Sequence, residues 1–128
     1  MTGRVVHFEI PYDDGDRART FYAAAFGWNV MNMPEMSYTL VNTGPTNEQG
    51  PPSEAGFING GMMQREAPFG SPVITVDVED SDKALDEIGT LGGTTVSTKQ
   101  AIADMGFAAY FKDPEGNLMG LWQNATPA

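Results

Sequence analysis

Apolar and polar side chains alternate along residues 4–10 with a period of two, which predicts a β-strand with two different faces. One face carries His7, the only histidine of the chain, and Glu9. The other face is wholly apolar and consists of Val6, Phe8 and Ile10. We therefore expect the apolar face to pack in the core and the polar face to be available for chemistry.

A helix over about 17–26 is predicted next, because its apolar residues recur at helical spacing. The acidic segment 12–16 is suited to the helix N-terminus, and Gly27 is suited to its end. A polar segment at 43–56, rich in Gly and Pro, is interpreted as one long loop. Strands are predicted near 28–32, 36–42 and 57–64.

The second half of the chain repeats this order. A strand at 73–78 leads to a helix at about 81–91, and three strands follow at 94–98, 106–112 and 118–123. In this repeat His7 aligns with Val73, and the helix stop Gly27 aligns with Gly93. The sequence thus predicts a single domain, 1–128, of two βαβββ modules at about 4–64 and 71–123.

The last two strands flank the turn Asp113-Pro-Glu-Gly-Asn117, in which Pro and Gly supply the backbone angles of a tight hairpin. This hairpin resembles the closing hairpin of the vicinal oxygen chelate superfamily, which includes glyoxalase I, extradiol dioxygenases and bleomycin-resistance proteins. The first module resembles the same superfamily through four short patterns: His7-x-x-Ile10, Asp14-x-Asp16, Phe21-Tyr22 and Phe26-Gly27.

The resemblance implies an α+β fold in which two paired βαβββ modules form a curved sheet cup with helices outside. It leaves two arrangements open, because the modules can pair within one chain or across a swapped dimer. On this basis we expect a homodimer.

Metal-bearing members of this superfamily take one ligand from the first and one from the last strand of each module. Carried over to this chain, the four positions are His7, Gly61, Val73 and Gly120. Only His7 has a side chain that can ligate a metal, so we expect no metal and no cofactor. Glu9 is the one further side chain weighed as a second ligand.

The chain has 128 residues and a net charge of −10, from 17 acidic and 7 basic residues. This charge repels polyanions, so nucleic acid and anionic membrane surfaces are not expected partners. The chain contains no Cys, which excludes disulfides and thiolate chemistry. Without a signal peptide or an apolar run of membrane-spanning length, we expect a cytoplasmic protein.

Together these observations favour a glyoxalase/bleomycin-resistance-like protein that has lost the metal site and binds a small organic ligand in its cup. The alternative is a metal-dependent lyase, isomerase or dioxygenase of the glyoxalase type that uses His7 and Glu9. A third interpretation is a dimerising module without a ligand, and whether the chain is an enzyme stays open. His7 and Glu9 are the catalytic candidates, and the predicted ligand-binding residues are His7, Glu9, Tyr38, Met63, Tyr110 and Trp122.

Overall fold

The structure of the chain is a computed structural model, which describes residues 3–48 and 50–125. Two compact units are present: a first unit, His7–Pro72, and a second unit made of residues 3–6 and 73–125. No helix in the described residues is long and apolar enough to cross a membrane. The elements are β1 (Val5–Tyr12), α1 (Gly15–Phe26), β2 (Asn29–Met33), β3 (Tyr38–Asn42), β4 (Asn59–Gln64), β5 (Val73–Asp77), α2 (Ser81–Thr90), β6 (Thr94–Ile102), β7 (Gly106–Lys112) and β8 (Leu118–Asn124).

This order confirms the predicted α+β class, with one strand, one helix and three strands in each half of the chain. Most bounds agree with the prediction to within two residues. The largest difference is β6, which runs to Ile102 instead of residue 98 because it stays paired with β7 through two irregularities in the register.

The strands of the first unit lie in the order β2-β3-β4-β1, with β1 parallel to β4 and the other pairs antiparallel. The Asp14 carboxylate accepts a hydrogen bond from the Arg17 N–H (3.1 Å) and so begins α1. Gly27 ends the helix at φ 71°, a conformation that glycine adopts without strain. Asp14 lies in the acidic segment predicted for the helix N-terminus, and Gly27 is the predicted helix end.

Alternation along these strands separates a core face from an open face. The core face holds three side chains with no exposed surface: Thr39, Val41 and Met62. Phe8 also lies on this face and contacts Trp28, whose ring stacks on Tyr22 of α1 at 5.1 Å. His7 and Glu9 project from the opposite face, as the sequence pattern predicts.

The second unit has the strand order β5-β8-β7-β6. Its core consists of Leu85 of α2 together with Ala109 and Leu121 of the sheet. Residues 3–6 belong to this unit because they continue its sheet beside β5. The Gly3 N–H donates to the Asp77 carbonyl (2.9 Å), and the Asp77 N–H donates to the Arg4 carbonyl (2.8 Å). The first strand of the chain is thus divided between the two units.

The long loop between β3 and β4 is organised by Asn59, which is only 9% exposed. Its side-chain oxygen accepts a hydrogen bond from the Thr43 N–H (3.0 Å), and its amide nitrogen donates to Thr46 Oγ1 (3.0 Å). Because Asn59 lies opposite His7 in the β1–β4 register, the loop is anchored next to the polar residues of β1.

Candidate functional site

Three side chains that the sequence singled out meet on the open face of the first unit. His7 and Glu9 project from the same side of β1, and Tyr38 stands at the start of β3. The Tyr38 hydroxyl lies 2.9 Å from His7 Nε2 and 2.7 Å from Glu9 Oε2. We refer to these three residues as the polar triad, and the tyrosine hydroxyl is its centre.

The hydrogen bonds of the polar triad are all donated in the same direction along the network. The Tyr38 O–H donates to the Glu9 carboxylate, so this hydroxyl has no second hydrogen to offer to His7. His7 therefore donates its Nε2–H to the tyrosine oxygen, and Nδ1 is the acceptor of the neutral ring. The arrangement selects one tautomer of His7.

Burial decides the charge state of His7. Desolvation lowers the pKa of His7 below its ordinary value, and the negative charge of Glu9 opposes this shift only in part. His7 is therefore a neutral hydrogen-bond partner at pH 7, not a cation. Glu9 is only 7% exposed, and the Tyr38 hydroxyl gives its carboxylate a donor inside the protein.

Gly61 explains how Tyr38 reaches the other two residues. Gly61 pairs with Glu9 across β1 and β4 and with Leu40 across β3 and β4, so it lies on the floor of the open face. The ring and hydroxyl of Tyr38 cover it, and any Cβ at this position would overlap both. Only glycine therefore permits the observed position of Tyr38.

Apolar side chains surround the polar triad on the same face. The strand register places Leu40 next to Met31 and Tyr38 next to Met33, while Met63 follows Gly61 at the next outward position of β4. Thioether side chains adapt their shape to what they contact. Among the predicted residues, His7, Glu9, Tyr38 and Met63 thus share one face of one unit.

Tyr110 and Trp122, the other two predicted residues, belong to the second unit. They share a face of β7 and β8 with Gly120, which pairs with Tyr110. The Trp122 indole N–H donates to Asn124 Oδ1 (2.9 Å). A Cβ at Gly120 would lie 2.7 Å from Thr75 Oγ1. This glycine is therefore also covered, but by a threonine.

The side chains present do not fit the divalent metal ion of the vicinal oxygen chelate superfamily that the sequence motifs resemble. In residues 3–48 and 50–125, no group of three or more His, Asp or Glu side chains converges on one point. His7 and Glu9 are joined through the Tyr38 hydroxyl, which fills the space above Gly61. A catalytic metal needs several donors and an open coordination position.

A second polar arrangement, which the sequence pattern did not predict, lies at the start of α1. Arg19 donates to Thr39 Oγ1 (3.0 Å) and to Asp16 (2.8 Å), and its guanidinium lies 5.8 Å from the centre of the Tyr12 ring. It borders an open cleft of about 400 Å³ that Gln64 also lines. The only sequence signal was a basic residue among the alanines of a predicted helix.

Comparison with known proteins gives a family match over part of the chain and a fold match over nearly all of it. Residues 4–44 match the family described as bleomycin resistance protein-like N-terminal. A structure of a Streptomyces coelicolor methylmalonyl-CoA epimerase variant, in complex with 2-nitronate-propionyl-CoA, is similar over 98% of this chain and 100% of its own, with 18% identity and a TM-score of 0.66. No curated protein matches the sequence significantly.

Two further solved structures agree. A hypothetical protein from Bacillus halodurans C-125 has 13% identity and a TM-score of 0.66, over 98% of this chain and 96% of its own. A glyoxalase/bleomycin resistance protein/dioxygenase superfamily member from Vibrio splendidus 12B01 has 16% identity and a TM-score of 0.61, over 94% and 97%. The predicted resemblance is confirmed: residues 4–44 match the bleomycin resistance protein-like N-terminal family, and the chain shares the fold of structures from the glyoxalase/bleomycin resistance protein/dioxygenase superfamily.

Proposed function

We propose that the protein binds a small organic molecule on the open face of the first unit, without the metal ion of its superfamily. The observation that carries this proposal is the polar triad, in which the Tyr38 hydroxyl joins His7 to Glu9 above Gly61. Donors that would otherwise bind a metal are already satisfied by each other. The methionines of the same face supply an adaptable apolar surface.

The direction of the hydrogens in the polar triad indicates which ligands fit. Both donor hydrogens, on His7 Nε2 and on Tyr38, point inward along the network. What the network offers to a ligand is therefore acceptors, namely His7 Nδ1 and the carboxylate of Glu9. We expect an apolar molecule that carries a hydroxyl, amine or amide N–H group. The net charge of −10 disfavours polyanionic ligands.

A second candidate function is metal-independent proton transfer. Structural neighbours include methylmalonyl-CoA epimerase, bound to methylmalonyl-CoA in one structure. A buried carboxylate and a neutral imidazole joined by a tyrosine form a chain along which a proton can move. Incubation of bound ligands in deuterated water would detect such chemistry, because an epimerase-type reaction exchanges a carbon-bound hydrogen.

A thermal-shift screen of small molecules, sorted by charge and by donor groups, tests the binding proposal. Ligands with an apolar body and a donor group should raise the melting temperature of the parent protein. Glu9→Gln should weaken the hits about tenfold or more, because a charged hydrogen-bond acceptor is lost. Glu115→Gln, in the exposed hairpin turn, is the matched control and should leave affinity unchanged.

The opposite result has a clear form. Hits that bind equally well to the parent, Glu9→Gln and Tyr38→Phe would place the ligand elsewhere.

A cytoplasmic location, a homodimer and a single domain over 1–128 stay predictions from the sequence.

A further inference from the structure

We propose that Tyr38 and Gly61 form a matched pair that closes the metal site from within. Tyr38 fills the space that a metal-binding side chain would occupy at position 61. Its hydroxyl holds His7 and Glu9 in place, as a metal ion would otherwise do. Exchanging both residues would reopen the site to a divalent cation. This inference rests on the proposed metal-free site and explains how that site is maintained.

The first argument is spatial. A side chain at Gly61 and the ring of Tyr38 cannot occupy the same volume, since even one carbon at Gly61 would overlap the ring. Leu40 and Glu9 flank Gly61 in neighbouring strands, which leaves Tyr38 as the group that covers it. Glycine at this position is therefore a requirement of the tyrosine.

The second argument is electrostatic. A divalent ion bound by an imidazole and a carboxylate would hold both groups and offset the negative charge. Here one hydroxyl contacts both groups, at 2.9 Å and 2.7 Å. It accepts from the imidazole and donates to the carboxylate, so it satisfies both without carrying a charge. The buried carboxylate of Glu9 thus keeps a partner in the absence of a cation.

The third argument concerns what the exchange would create. Glu9 and Gly61 are direct partners in parallel strands, and His7 lies two residues from Glu9 on the same face. A carboxylate introduced by Gly61→Glu would stand next to that of Glu9, with the imidazole alongside. One imidazole and two carboxylates suit Mn²⁺, Fe²⁺ or Zn²⁺ once the tyrosine ring is gone.

A metal titration of untagged protein tests the inference. Calorimetry with Mn²⁺ and Zn²⁺ would compare the parent, Tyr38→Ala, Gly61→Glu and the double variant. We expect the double variant to bind at least about tenfold more tightly than either single variant, because only it combines three donors with free space. A folded double variant that binds no more tightly than the single variants would overturn the inference.

A double-mutant cycle with smaller changes covers the case in which the carboxylate variant does not fold. Gly61→Ala should lower the melting temperature of the parent by about 5 °C or more, because it overpacks against Tyr38. In the Tyr38→Ala background the same change should cost far less. Gly89→Ala, where a Cβ meets no atom within 4 Å, is the control and should act equally in both backgrounds. Additive effects at Gly61 and Tyr38 would contradict the pairing.

Proton NMR gives a readout that a purely structural role would not move. His7 is the only histidine, so its ring signals are unambiguous. Its Nε2–H, held by Tyr38, should give a slowly exchanging signal that Tyr38→Phe removes. Persistence of that signal in Tyr38→Phe would contradict the role of the hydroxyl. If the ligand screen gives no hits, the double-mutant cycle of Gly61 and Tyr38 can still be non-additive. The binding proposal and the pairing proposal can therefore fail independently of each other.

Discussion

Both units have a glycine at the matching position of the strand that pairs with their first strand, and a different side chain covers it in each unit. Gly61 pairs with Glu9 in the first unit, and Gly120 pairs with Thr75 in the second. The first glycine is covered by Tyr38, whereas the second is covered by Thr75 itself. The same backbone arrangement thus supports a network of ionisable side chains in the first unit and a contact of a neutral side chain in the second.

The difference follows from few residues. His7 and Glu9 of the first unit correspond to Val73 and Thr75 of the second, so the second unit lacks both ionisable groups at these positions. The repeat therefore specifies the fold in both halves, while the chemistry depends on side chains that only the first half contains. Substitutions at matched positions of the two units test whether the fold and the chemistry depend on different residues.

The largest effects are expected in the two cores. Met62 and Leu121 are matched residues, 0% and 3% exposed. Met62→Ala and Leu121→Ala should each lower the free energy of unfolding by about 2–5 kcal/mol, since each leaves a cavity. Urea denaturation measures both. Ile74→Ala, at a site 44% exposed, is the control and should cost much less. A loss below about 1 kcal/mol at either core site would contradict the assigned core.

The two glycines should differ next. Gly61→Ala would push against an aromatic ring and should cost about 1–3 kcal/mol of stability. Gly120→Ala meets the hydroxyl of Thr75, which can rotate, so we expect a loss below about 1 kcal/mol. Denaturation of both variants gives the order directly. The reverse order would show that Tyr38 moves aside more easily than Thr75.

Sequence alone predicted most of the fold, because its signals are local. The alternation of β1, the cap Asp14 within the acidic segment 12–16, and the stop at Gly27 each depend on neighbours within a few residues. Helical spacing did not show which apolar residues of α1 are buried, since Phe21 is 58% exposed.

The sequence named the three residues of the polar triad as candidates but did not predict their arrangement. His7 and Glu9 follow from strand alternation, whereas their link through Tyr38 depends on the register of three strands. That register joins residues about thirty positions apart and leaves no periodic signal. The role of Gly61 could not be predicted either. A glycine in a sequence shows that a side chain is absent, but not which neighbouring side chain occupies the space above it.

Removal of the triad hydroxyl should have a moderate effect. Tyr38→Phe keeps the ring above Gly61 but removes the hydrogen bond to the buried Glu9 carboxylate. We expect a loss of about 1–3 kcal/mol, the cost of leaving a buried polar group without that partner. Tyr22→Phe, which keeps its stack on Trp28, is the matched control for equilibrium unfolding. Equal stability of the parent and Tyr38→Phe would contradict the network.

The smallest predicted effect is a dependence on pH. The pKa of His7 is lowered in the folded protein, so below about pH 6.5 the unfolded chain binds more protons than the folded one. Stability should therefore fall as the pH drops from 7 towards the folded pKa. His7→Val, which copies Val73 of the second unit, should lack this component. Urea midpoints from pH 5 to 8 measure the difference, and identical profiles would contradict it.

The division of β1 between the two units constrains how the chain folds. Residues 3 and 4 find their partner only when Asp77, about seventy positions later in the chain, has been synthesised. A fragment that begins at residue 73 lacks the strand that borders β5, and the Asp77 backbone loses both of its hydrogen-bond partners. Closing such a distant contact is slow compared with helix formation. The last step of folding is therefore expected to be the pairing of residues 3–6 with β5, a contact between segments far apart in the chain.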